Sequence, residues 1–147
     1  MNMTRKKASG FFIVEILIVL VIVGILVAAL LPNLQTYTQR AKFVDVLNAV
    51  GAIKPAVELC ILNQGGVATN CTTAAGNGIP ASVAQGNSTS TVVTSTSATT
   101  VVITGTAITG GGFAGETYIL TGVVTGAVPN QYIVWTASGS CGAAGLC

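Results

Sequence analysis

Histidine is absent from this chain, and charge is scarce: charged residues make up 7% of the 147, against about 25% in an average soluble domain. Without histidine the usual hydrolase triad is unavailable. The four acidic residues stand far apart in sequence, at Glu15, Asp45, Glu58 and Glu116, and form no evident carboxylate pair for acid-base work. Four cysteines without histidine, at Cys60, Cys71, Cys141 and Cys147, match no usual zinc-finger spacing. Gly110-Gly111-Gly112 lacks the Lys-Ser/Thr of a phosphate loop and reads as a turn. No metal, cofactor or catalytic residue is expected. The formal charge of +2 includes Arg5, Lys6 and Lys7 near the start; from residue 11 onward three basic residues face four acidic ones. No basic surplus is left for nucleic acid.

What the chain has instead is an apolar run. From Phe11 to Leu31 the only charge is Glu15 and the only helix-weakening residue is Gly24. As a helix this run is about 31 Å long, enough to cross a bilayer. The three basic residues lie just before it, and Arg40 and Lys42 follow only after a gap, so the bias favours a cytoplasmic N-terminus with the bulk of the chain outside. A carboxylate inside such a span costs roughly 2.5–3.5 kcal/mol and calls for a partner.

These residues resemble a known family, the type IV pilins. The match rests on the basic leader with Arg5, Lys6 and Lys7, Gly10 before a cleavage point, Phe11 after it, and Glu15 as fifth residue of the mature chain. The resemblance implies that a prepilin peptidase removes residues 1–10 and N-methylates Phe11. It implies that Glu15 pairs with the α-amino group of a neighbouring subunit's Phe11, and that Gly24 and Pro32 bound a segment of loosened helix. Phe12 departs from the pattern, where Thr is more usual.

The implied partners are further copies of the chain, the peptidase/methyltransferase, the inner-membrane assembly machinery and, before assembly, the lipid bilayer. The implied role is that of a structural subunit, held as a single-pass inner-membrane protein and polymerised into an extracellular filament for adhesion, twitching or DNA uptake. Three alternatives share parts of this pattern: a type II secretion pseudopilin, a membrane-anchored periplasmic binding domain, and a Sec-type signal peptide. The last normally has a shorter apolar core without a carboxylate.

Beyond the span, residues 33–62 are expected to extend the helix. Leu34, Tyr37, Ala41, Val44, Leu47, Val50, Val57 and Ile61 form an apolar stripe, opposite Gln35, Gln39, Arg40, Lys42, Asp45 and Asn48. Pro32 and Pro55 predict bends, with Gly51 weakening the second region. Lys54 and Glu58 form an exposed helical pair. Asn63-Gln64-Gly65-Gly66 supplies a glycine cap.

Residues 63–89 read as a loop. Residues 90–147 read as a head with strands at 91–94, 100–106, 117–124 and 132–137. The expected fold is α+β: a long bent N-terminal helix packed on a four-stranded antiparallel sheet, with Thr and Ser on the wet face. With the head outside the cytoplasm the cysteines read as disulfides. Four allow three pairings, of which the local ones, Cys60–Cys71 and Cys141–Cys147, are preferred. The second resembles the disulfide-bounded loop that closes many type IV pilins. Asn70-Cys71-Thr72 and Asn87-Ser88-Thr89 match the glycosylation sequon, a pattern frequent by chance.

Overall fold

A computed structural model describes residues 11–147; the expected leader, Gly10 included, lies outside the described residues. The element order is α1 (Phe11–Asn63), β1 (Ser88–Ser97), β2 (Thr100–Ala107), β3 (Thr109–Gly110), β4 (Phe113–Ala114), β5 (Thr117–Thr125), β6 (Tyr132–Ser138) and α2 (Ser140–Ala143). The 53-residue α1 stays helical through Gly24, Pro32 and Pro55. It belongs to two units, one ending at Tyr37 and one running from Thr38 to Cys147.

In the first unit no side chain between Phe12 and Leu31 is buried. In the second, α1 lies on one face of a sheet ordered β1-β2-β5-β6, antiparallel throughout. Val50, Ile53, Val57 and Ile61 meet Val93, Val101 and Ile103 in the main core. On β2 the alternation is regular: Val101, Ile103, Gly105 and Ala107 are buried, and Thr100, Val102, Thr104 and Thr106 are half-exposed. This is the two-residue period of a sheet with one covered face. On β1 the buried residues are Ser88, Thr91 and Val93. The three-residue step coincides with a register shift between Ser88 and Ser90, which restores Thr91 to the inner face. The buried Thr91 hydroxyl is satisfied by donating to the Val83 carbonyl at 3.1 Å.

The helix ends as a Schellman motif. Gly66 donates its N–H to the Ile61 carbonyl and Gly65 to the Leu62 carbonyl, with Gly65 at φ +66°. Cys60 and Cys71 are joined, tying the helix end to the loop that follows. That loop meets β1 where Thr73 donates to the Val93 carbonyl at 3.2 Å, and meets the β1–β2 turn where Ala68 donates to the Ala98 carbonyl at 2.7 Å.

Two expectations require correction. The stripe on α1 is centred on Phe43, Val46, Ala49, Val50, Ile53, Val57 and Ile61, all at most 1% exposed. Ala41 and Val44 face solvent, Leu47 is half-buried, and Asp45 turns toward the head rather than away from it. The helix carries apolar residues on more than one face here, so periodicity alone left its rotation undetermined. What decides it is a second core, in which Phe43 and Val46 meet Ala107, Phe113, Cys141 and Leu146.

The glycine triplet is the second correction. Gly111 and Gly112, both at positive φ, do form a turn, but the turn joins a small hairpin, β3–β4, where no strands were expected. The hairpin delivers Phe113 to Phe43, with ring centroids 6.1 Å apart.

Helix and sheet come close together at Gly105. A Cβ there would sit 2.5 Å from Val50 Cγ2 and 3.0 Å from Val46 Cγ1. Gly105→Ala is expected to push α1 off the sheet and cost about 1–3 kcal/mol, read as a lowered melting temperature of the detergent-solubilised chain. An unchanged melting temperature would show that the contact is not tight.

Candidate assembly site

The residues singled out from sequence do not converge on a pocket. Among the described residues no group of three or more Cys, Asp or Glu is placed to hold a metal. They lie instead in two arrangements: an unclothed apolar helix, and a head whose few charged groups are almost all committed to internal bonds.

The helix is the first. Between Phe12 and Leu31 the large side chains are 47–68% exposed. Mean hydropathy over this segment is 3.2. Phe11 opens the helix, and Glu15 stands one turn in, exposed like its neighbours. Gly24 has no atom within 4 Å of where a Cβ would be, so it leaves an open notch on the surface.

In the head, Asp45 Oδ2 accepts from the backbone N–H of Asn87 at 3.0 Å and from its side-chain amide at 2.7 Å. This bond anchors the start of β1 to the helix and engages the amide of one of the two sequons. At the far end of the helix, Trp135 on β6 donates its indole N–H to Glu58 Oε1 at 2.7 Å. Lys54 Nζ lies 3.8 Å from the same oxygen and 5.4 Å from the Trp135 ring centroid. The expected Lys54–Glu58 pair is therefore one side of a three-residue cluster joining helix to sheet. Gly122 makes it fit: a Cβ there would lie 2.8 Å from the Trp135 ring. The C-terminal loop is closed by Cys141–Cys147 and held to the helix by Arg40, whose Nε donates to the Gly145 carbonyl.

Sequence reasoning did not find the Trp135–Glu58 and Asp45–Asn87 bonds, because each joins residues far apart in the chain. The signals were a lone tryptophan opposite a glycine and a carboxylate in a chain poor in them.

An exposed apolar helix joined to a small disulfide-stapled head fits an assembling subunit. Residues 39–144 match the family described as pilin, a bacterial filament. Over 145 residues the chain is 44% identical to the type IV pilus subunit protein TapA of Aeromonas hydrophila, covering 97% of this chain and 99% of that one. The chain belongs to the type IV pilin family. Shorter matches join this pilin to prepilin peptidase-dependent protein D of Escherichia coli (strain K12), 37% identical over 51% of this chain and 50% of that one. The type IV major fimbrial protein FimA of Dichelobacter nodosus is 34% identical over 40% of this chain and 38% of its own. No solved structure matches the chain. The pilin is a structural subunit of a type IV pilus and not an enzyme.

Trp135→Phe keeps the ring and deletes the indole donor. The expected loss is about 1 kcal/mol, modest because Glu58 retains access to water. Thermal unfolding checks it, and no loss would mean that the bond contributes nothing to holding β6.

Proposed function

We propose that this pilin is made as a precursor cut after Gly10 and N-methylated at Phe11, and that it waits in the inner membrane with its N-terminus cytoplasmic. It then moves from lipid into a helical filament. The observation that supports this is the fully exposed helix from Phe12 to Leu31 with one carboxylate on it. Lipid covers such a surface in the stored state, and neighbouring copies of the same helix cover it in the filament. Glu15 gives the exchange its register. In a sheath of apolar helices an unpaired carboxylate is costly, and the α-amino group of the next subunit's Phe11 is the cation that neutralises it.

Gly24 and Pro32 bound the segment of helix that loosens as neighbours pack, since glycine weakens a helix through its backbone entropy and proline lacks the amide donor. The partners are therefore further copies of the chain, the prepilin peptidase that also methylates, and the inner-membrane assembly machinery. Pilin contacts that do not close on themselves generate a filament.

Glu15→Ala is expected to leave precursor cleavage intact while surface filaments fall by more than about tenfold, since one partner of a desolvated pair is lost. Gly10→Val is expected to leave residues 1–10 attached, as read by intact mass. Wild-type filament numbers from Glu15→Ala would contradict the register role, and normal trimming of Gly10→Val would contradict the cleavage point.

A further inference from the structure

Among the described residues the pilin head has an open sheet edge at β6 and, at Lys42, a cation whose charged group has no partner. The outer edge of β1 receives one backbone bond from the preceding loop, from Thr73 to the Val93 carbonyl. Along β6, among the described residues, no backbone group bonds to anything but β5, so alternate peptide groups of Tyr132–Ser138 face outward unpaired. At the start of that edge is an open groove of about 320 Å³ lined by Glu58, Leu62, Gln131, Tyr132 and Ile133. Its one formal charge is Glu58. Oε1 of Glu58 serves both Trp135 and Lys54, and no described residue bonds Oε2. Beside it Leu62 and Tyr132 are 52% and 58% exposed.

A carboxylate flanked by exposed apolar atoms is complemented by a cation on an aliphatic stem. Arg40 is committed to the Gly145 carbonyl and Lys54 to Glu58 and Trp135. Among the described residues Lys42 alone is a cation whose charged group has no partner, and it is exposed. Its place in the head is set by its own carbonyl, which accepts from the side chain of Asn87 immediately before β1. β1 and β6 are the two edges of the sheet. Along the helix Lys42 and Glu58 are separated by about 24 Å, so they cannot meet within one chain. A subunit that assembles by contacts that do not close needs two different patches, each complementary to the other. A groove beside β6 whose carboxylate keeps one oxygen unbonded, and an exposed lysine on α1 near the start of β1, are two such patches.

We infer that in the pilus the β6-edge groove of one subunit receives Lys42 of a second copy, its ammonium on Glu58 Oε2 and its stem over Leu62 and Tyr132. This rests on the chain being a pilus subunit and adds to it a specific contact between heads. The contact is separate from the packing of the apolar helices and from the Glu15 register.

A water-soluble carbodiimide joins a lysine amine to a carboxylate in contact with it, forming an amide with loss of water. Sheared filaments treated in this way and digested are expected to yield a Lys42–Glu58 link, which must be intermolecular, beside the Lys54–Glu58 link within each chain. Detergent-dispersed subunits are expected to yield the latter without the former. Filaments that give Lys54–Glu58 without Lys42–Glu58, or that join Lys42 to Glu116 instead, overturn the inference and leave the subunit reading standing. If the natural chain forms no filaments, the subunit reading fails and the inference fails with it. Lys42→Gln, at an exposed position, is expected to lower filament yield several-fold without changing the melting temperature of the head, and Lys42→Arg to restore it. Undiminished filaments from Lys42→Gln overturn the inference as well.

Discussion

A helix whose first part has nothing of its own to pack against is the constraint on which this protein depends. From Phe12 to Leu31 every residue is exposed, and covering a side chain such as Leu, Ile or Val contributes about 1.5–3 kcal/mol. No described residue from Phe12 to Leu31 is buried, and the proposed function gives that surface its cover in lipid before assembly and in other copies afterwards. Both of these proposed environments are apolar, so a subunit passing from one to the other would undergo no large change in solvation. Glu15 is the exception along this surface. Under the proposed function it is the one group for which lipid and a filament of like subunits would differ sharply, and that difference would give assembly its direction and register.

The head is built outward from the rest of the same helix. Phe43, Val46, Val50, Ile53, Val57 and Ile61 turn one face to the sheet, and Gly105 lets the two come close. Few charged groups are present, and the structure uses most of them as internal fasteners: Asp45 holds Asn87, Glu58 holds Trp135, Arg40 holds the C-terminal loop. Two disulfides close the loops at either end of the head. This thrift leaves an outer surface of Thr, Ser and small apolar residues, suited to close contact between copies.

Much of this was legible in the amino-acid sequence, for physical reasons. The strands from Thr100, Thr117 and Tyr132 begin where expected, because alternating Thr and Val or Ile between glycine-rich turns carries the two-residue period clearly. The expected strand at 91–94 proved to be the middle of Ser88–Ser97, since its serine-rich ends pair through their backbones and carry little hydrophobic signal. The rotation of α1 was misjudged over residues 41–47, where apolar side chains occur on several faces and only the second core decides which is buried. The hairpin carrying Phe113 was hidden in a glycine triplet. The bonds at Asp45 and Glu58 depend on partners dozens of residues away, and no local pattern announces them.

The most direct test of the central claim is the intact mass and N-terminal chemistry of material sheared from cells, with the same material imaged by negative stain. Thin filaments composed of a chain that lacks residues 1–10, begins at methylated Phe11 and contains two disulfides are the predicted result. A product still beginning at Met1 and confined to membranes, or a chain cut near Leu30 with no filaments present, would contradict it.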